Sequence, residues 1–280
     1  MNNYRAIDIH CHTNFAAFDE DRDEVISRTL DAGVYMINVG TQKDTSKSGV
    51  ELAQKYEKGV YATVGLHPIH TDKSFHDEAE IGEGGSNFNS RDEVFDAEYY
   101  RELAQDPKVV AIGECGLDYF RTDKESEQKQ RDAFIAQVHV ANEVRKPMML
   151  HVRNGQDGRS AYADVLDIIK SEATVLGNVH FFAGSKEDAK KFLDLGFTLS
   201  FTGVITFAKE YKELVEFVPD DMIHAETDAP YVAPVPERGK RNEPLFVTHV
   251  VEKMASIKGK AVEDMQAILR ANTERLFKIV

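Results

Sequence analysis

The sequence predicts an α/β fold, a closed (β/α)8 TIM barrel with an additional C-terminal helix. Three observations carry that expectation. Short apolar runs alternate regularly with longer amphipathic stretches, the pattern of a parallel sheet with helical crossovers. Eight such runs fit into about 250 residues, the usual size of a closed barrel. No G-x-G-x-x-G turn follows either of the first two runs, which places a doubly wound sheet second.

The strand-like runs are rich in Val, Ile, Phe and Met and stop at Gly, Pro or polar residues. They cover 5–12, 35–40, 60–65, 109–114, 148–153, 178–183, 198–203 and 222–228. Helical periodicity fills the gaps at 21–32, 45–57, 97–105, 125–145, 158–171, 185–195 and 208–217, and continues beyond the last strand at 245–257 and 262–277. Ser185 and Asp188 have the spacing of a capping box. Gly196 follows Leu195, where a left-handed residue ends a helix. Pro147 precedes the fifth strand, where a missing N–H costs little. The stretch 72–98 breaks the regular spacing and reads as a long loop after the third strand. No internal repeat or linker interrupts the pattern, so one domain spanning 1–280 is expected.

The chain has 280 residues, 42% hydrophobic and 29% charged, a globular mixture with ample core. Its 48 acids against 34 bases give a formal charge of −14. That excludes a protein that coats nucleic acid or anionic membrane by bulk electrostatics. A polyanionic substrate would need local help from a metal or a few basic side chains. Two cysteines, Cys11 and Cys115, make no disulfide framework. No run approaches the ~20 apolar residues of a membrane span, and the N-terminus lacks an apolar signal core. The expected location is cytoplasmic, with no membrane and no obligate protein partner.

A barrel of this kind carries its active site at the C-terminal ends of its strands. Strand one ends in Asp8-Ile9-His10-Cys11-His12, and strict alternation would put Asp8, His10 and His12 on one face. Strand four ends in Gly113-Glu114-Cys115-Gly116, strand five delivers His151, strand six His180, and strand eight ends in Glu226-Thr227-Asp228. A lone His in an apolar strand is usually a hydrogen-bonded core residue, and a lone acid at a strand end is usually a cap. Four His and two carboxylates converging on one point differ, because unpaired buried charge is costly without a cation. Imidazoles suit Zn, and carboxylates admit Mg or Mn. Six ligands exceed a closed structural zinc site and suit two metals sharing a carboxylate. Cys11 and Cys115 should face away from these ligands as small buried residues.

The motifs Ile7-Asp8-Ile9-His10-Cys11-His12, Val64-Gly65-Leu66-His67-Pro68, Ile112-Gly113-Glu114-Cys115-Gly116-Leu117-Asp118-Tyr119, Leu150-His151-Val152-Arg153 and Glu226-Thr227-Asp228-Ala229-Pro230-Tyr231 resemble signatures of the TatD family. The downstream Pro234-Val235-Pro236 and Gly239-Lys240-Arg241-Asn242-Glu243-Pro244 do so as well. That family comprises metal-dependent deoxyribonucleases of the amidohydrolase superfamily, and the resemblance spans nearly the whole chain. It implies that His10, His12 and Asp228 hold a first metal, that Glu114 bridges to a second, and that His151 and His180 hold the second. Asp228 and Glu114 would be the catalytic carboxylates, with Asp228 orienting or deprotonating the attacking water. His67, Arg153 and Arg241 would contact the substrate phosphate. Two departures stand out: Phe181-Phe182-Ala183-Gly184 replaces the usual Cys-Phe-Ser-Gly, and Thr13-Asn14 follows the first H-x-H.

The implied function is hydrolysis of DNA phosphodiester bonds through a water activated by two divalent ions (Mg, Mn or Zn), as an exonuclease on single strands or ends. The alternative is another amidohydrolase activity on a lactone, amide or ester at the same site. Glu114 stands where many superfamily members carry a carbamylated Lys, which favours the nuclease. A non-catalytic metal-binding scaffold is the third reading. Nine acids against Lys73 and Arg91 put a charge of −7 into 72–98, half of the excess. The bland reading is a solvated acidic loop; the sharper one is a rim that disfavours long nucleic acid. Arg238, Lys240 and Arg241 form a small basic cluster near Asp228.

Overall fold

The computed structural model describes residues 4–72, 92–122 and 124–279. Eight parallel strands follow one another around a single sheet: β1 (Ala6–Cys11), β2 (Val34–Val39), β3 (Val60–Val64), β4 (Val109–Asp118), β5 (Met148–Arg153), β6 (Gly177–Val179), β7 (Thr198–Phe201) and β8 (Ile223–Ala225). Just past β8, Cys11 pairs with Ala229, and the Asp228 and His12 N–H groups donate to the His10 and Ala229 carbonyls at 2.9 and 2.8 Å, which brings the end of the barrel back to β1. The outer helices are α1 (Arg22–Asp31), α2 (Lys43–Gln54), α3 (Ala97–Leu103), α4 (Glu127–Val144), α5 (Ala161–Glu172), α6 (Lys186–Asp194), α7 (Lys212–Phe217), α8 (Val247–Lys258) and α9 (Val262–Phe277). The predicted barrel is the observed one.

One layer of core lies between strands and helices, where Val25, Ile26, Met36, Val50, Phe134 and Val165 pack. A second cluster joins Tyr4, Ile7, Ile9, Ile37, Tyr61 and Met149 to Phe277 from the end of α9. The extra C-terminal helix thus contributes to this second core. Ser185 accepts from the Asp188 N–H while Asp188 accepts from the Ser185 N–H, the expected capping box of α6. Gly196, at φ +85°, follows that helix as expected.

The last three strands are shorter than expected, and Gly203, expected to end the seventh, opens a 3-10 turn that runs to Thr206. The predicted helix 208–217 begins as the 3-10 turn Lys209–Tyr211 before α7. β4 runs four residues further than expected, to Asp118. Residues 73–91, the body of the expected acidic loop, lie outside the described residues. Of its flanks, Asp96 caps α3 by accepting from the Tyr99 N–H, and Glu93 accepts from the Tyr100 hydroxyl at 2.8 Å.

Two bulges set up the site. On β1, Asp8 pairs with Met36 but Cys11 pairs with Asn38, so one extra residue is inserted between them. Asp8 therefore lies on the side of Cys11 and does not share a face with His12, which corrects the strict alternation read from the sequence. On β4, Ile112 pairs with Met148 and Cys115 with Leu150, another one-residue insertion at Gly113-Glu114. Gly113 has φ +150°, and a Cβ there would lie 2.4 Å from the Met149 carbonyl oxygen. Only glycine lets Glu114 be presented this way. Cys11 and Cys115 are buried in the outer core, away from the ligands, as expected.

Candidate metal centre

All six of the expected ligands converge. His10 and His12 come from the end of β1, Glu114 from β4, His151 from β5, His180 from just after β6 and Asp228 from just after β8. Glu114 lies at the middle. Its Oε2 is 3.4 Å from His10 Nε2 and 3.9 Å from His12 Nε2. Its Oε1 is 2.9 Å from His151 Nδ1 and 2.8 Å from His180 Nε2. Asp228 Oδ1 stands 3.7 and 3.5 Å from His10 and His12 Nε2. Asp228 takes a left-handed φ of 57°, a conformation that Asp tolerates better than most residues.

Hydrogen bonds on the far side of two of the rings show which of their nitrogens faces the cluster with a lone pair. His12 Nδ1 lies 3.0 Å from the Val39 carbonyl, and His151 Nε2 lies 2.9 Å from Asp118 Oδ2. His180 Nδ1 points toward Glu226 Oε1 at 3.6 Å. With their outer nitrogens donating, the inner nitrogens of His12 and His151 are acceptors; among the described residues, His10 Nδ1 and His180 Nδ1 make no hydrogen bond. Yet His10 and His12 Nε2 approach to 3.2 Å, and His151 Nδ1 and His180 Nε2 to 3.3 Å. Four ring nitrogens crowded in this way beside two carboxylates form a donor set that a cation among them would hold together. The donor set is nitrogen and oxygen of the kind that divalent ions take. Three groups of side chains bring ligand atoms within 4.8 Å of one another: His10, His12 and Glu114; His67, Glu114 and His151; and His10, His180 and Glu226. The residues present therefore fit a metal.

His67 differs from the ligands. Its Nδ1 accepts from the Ile69 N–H at 3.1 Å, so the neutral ring carries its proton on Nε2, which faces Glu114 Oε1 at 3.3 Å. Burial and the neighbouring His151 push its pKa down to about 4. His67 is thus a neutral donor aimed into the cluster. Burial alone would raise the Glu114 carboxyl, but His180, His67 and His10 outweigh it and hold it well below the usual carboxylate range. Asp228 is likewise lowered, by His12, His10 and His180 against its own burial.

The cluster forms the floor of a cavity of about 460 Å³, whose walls include Phe15, Arg121, Arg153, Phe181, Tyr211 and Tyr231. His67 and Arg153, expected at the phosphate, both line it. Arg241 is placed elsewhere. Its guanidinium donates to Asp21 at 2.8 and 2.6 Å and to the Ala17 carbonyl at 2.8 Å, and it stacks on Phe18. Arg238 and Lys240 do not line the cavity either; Lys240 pairs with Glu237 at 2.6 Å. In that motif, buried Asn242 is the structural residue, donating to the Thr227 and Tyr231 carbonyls at 2.9 and 2.6 Å and so bracing the turn that carries Asp228.

Two supporting carboxylates were not assigned roles from sequence. Asp118 orients His151. Glu226, fully buried, accepts from the Ser200 hydroxyl at 2.7 Å and the Phe181 N–H at 2.6 Å while facing His180. Both occur in the motifs above, but only the register of β4 against β5 and the turn after β6 show what they touch.

Comparison with known proteins agrees with this geometry. Residues 7–278 match the family model described as TatD related DNase. The uncharacterized metal-dependent hydrolase YabD of Bacillus subtilis is 36% identical over 277 residues, covering 97% of this chain and 98% of YabD. The 3'-5' ssDNA/RNA exonuclease TatD of Klebsiella pneumoniae is 34% identical over 280 residues, covering 97% of each chain. The crystal structure of YJJV, a TatD homologue from Escherichia coli K12, superposes with a TM-score of 0.81 at 26% identity, covering 100% of both chains. The chain belongs to the TatD family and is a metal-dependent hydrolase built on this barrel.

Proposed function

We propose that this protein hydrolyses DNA phosphodiester bonds, acting as an exonuclease on single strands or ends with two divalent ions. The observation that carries the reading is the division of Glu114: one oxygen faces His10 and His12, the other His151 and His180. Asp228 completes the first group. Bound in these two groups, Mg, Mn or Zn would acidify a water and offset charge developing on the phosphoryl oxygens.

The chain's own side chains account for the remaining work. Asp228, kept ionised by the surrounding imidazoles, holds the attacking water and accepts its proton. His67 Nε2–H, neutral at physiological pH, donates to a phosphate oxygen without adding a charge. Arg153 supplies a fixed positive fork for the phosphate. The apolar walls of the cavity limit competing water. With Arg241 tied to Asp21, Arg153 and Arg121 are the arginines that line the cavity.

The name of the Klebsiella relative supports a nucleic-acid substrate. The test is release of nucleotides from 5'- and 3'-labelled single-stranded DNA with Mg, Mn or Zn, comparing wild type with Glu114→Ala. Metal-dependent release that is lost in the variant is expected. Equal release by both would remove the assignment, and turnover of lactones or N-acyl compounds in place of DNA would favour the other amidohydrolase chemistry.

A further inference from the structure

We propose that Phe120, stacked beneath Arg153, is a platform for a nucleobase next to the scissile phosphate, so that the strand is gripped by stacking as much as by charge. This rests on the nuclease reading above. Phe120 sits in the turn after β4 and is 43% exposed, an unusual position for a phenyl ring beside a polar site. The Arg153 guanidinium lies 3.8 Å from its ring centroid and lines the cavity. Among the described residues that guanidinium has no hydrogen-bond or ion-pair partner. A half-buried cation held only by an aromatic face leaves its donors directed to an incoming anion.

The platform is locked to the metal centre. Asp118 Oδ2 faces His151 Nε2, while its Oδ1 accepts from the Phe120 and Arg121 N–H groups, all at 2.9 Å. Asp118 and Arg153 are partners in the β4–β5 register, and the Tyr119 N–H donates to the Arg153 carbonyl at 2.9 Å. One carboxylate thus sets both the ring of a metal-ligand histidine and the turn that presents Phe120. The distance from base to phosphate is thereby fixed by the sheet.

The charge of the chain gives the reason for such a device. At −14, with Arg241 and Lys240 paired to acids, little bulk attraction holds a polyanion. Stacking is indifferent to sequence and needs a base whose face is open, as in a single strand or a frayed end.

The test uses the metal-loaded protein, a single-stranded oligonucleotide, and the same strand with an abasic nucleotide on one or other side of the scissile bond. Wild type should show a KM about 5- to 100-fold higher for one of the abasic strands. Phe120→Ala should raise KM on the intact strand by a similar factor and bring the intact-to-abasic ratio toward one, and Phe120→Trp should restore both. A Phe120→Ala protein with wild-type KM and wild-type ratio, or a Trp variant that fails to restore them, overturns the platform while leaving the nuclease intact. No nucleotide release by the wild type overturns both.

Discussion

Replacing Asp118 by Asn tests whether the outer hydrogen bonds organise the metal centre. Asn has the same shape, and its oxygen can keep the two backbone N–H groups of Phe120 and Arg121. Its amide nitrogen then meets His151 Nε2, donor against donor, at the position where Asp118 accepts at 2.9 Å. His151 must either lose that bond or move its proton to Nδ1, the nitrogen facing Glu114 at 2.9 Å. The first frees the ring and the second removes the lone pair a metal needs. A buried hydrogen bond to a charged group is worth ~1.5–3 kcal/mol. That corresponds to about 10- to 100-fold in metal affinity, the range for losing an outer partner of a metal-ligating histidine. Metal-free protein would be titrated against a chromophoric chelator, with nucleotide release measured at saturating metal and melting temperature as the control for folding. Affinity within twofold of wild type would refute the argument that Asp118 sets the His151 tautomer.

Three further outcomes follow from the same geometry. His224 is buried in β8 with its pKa pushed down to about 3 by burial and by Arg275; between that value and about 6.5 the unfolded chain binds the extra proton, so stability is fully present above the window and falls as pH drops through it, by about 2 kcal/mol at pH 5. In His224→Met the Thr273 hydroxyl still donates to the Leu269 carbonyl, and denaturation of metal-loaded protein at pH 5 and pH 8 should show that part of the acid loss gone; equal losses in both proteins would sink the assignment. Lys146 donates to the carbonyls of Ala104, Asp106 and Val109; Lys146→Met should cost about 2–3 kcal/mol in urea unfolding with KM unchanged, and a cost under about 0.5 kcal/mol would show that water replaces the ammonium. Arg241→Ala should lower stability by ~1 kcal/mol through its lost pair with Asp21 without raising KM for DNA, and a raised KM would return Arg241 to the phosphate.

The convergence of the candidate ligands was legible because a barrel sends every strand end to one mouth: His10, Glu114, His151, His180 and Asp228 need only strand identity to be brought together. Side-chain direction was less legible. The bulge on β1 moved Asp8 to the Cys11 side, and no alternation rule anticipates an inserted residue. Arg241 shows a second limit, since its partner Asp21 lies 220 positions away and spacing within a motif says nothing about a neighbour on another element. Asp118 and Glu226 stood in recognisable motifs, but their hydrogen bonds depend on register and turn geometry. β6 and β8 end early because the residues beyond them lie in turns that keep only single hydrogen bonds to neighbouring strands, as from the His180 N–H to the Leu150 carbonyl and from the Glu226 N–H to the Phe201 carbonyl.

In the proposed reaction, Glu114 and the five side chains around it hold two divalent ions, and both ions are required to cut DNA. The most direct test is to add metal stepwise to metal-free protein while following nucleotide release from labelled single-stranded DNA, in wild type and Glu114→Gln. Release that rises to its plateau at two equivalents per chain, and falls by at least two orders of magnitude in Glu114→Gln, is the expected result. Full release at one equivalent or none, or a Glu114→Gln protein as active as wild type, would contradict it.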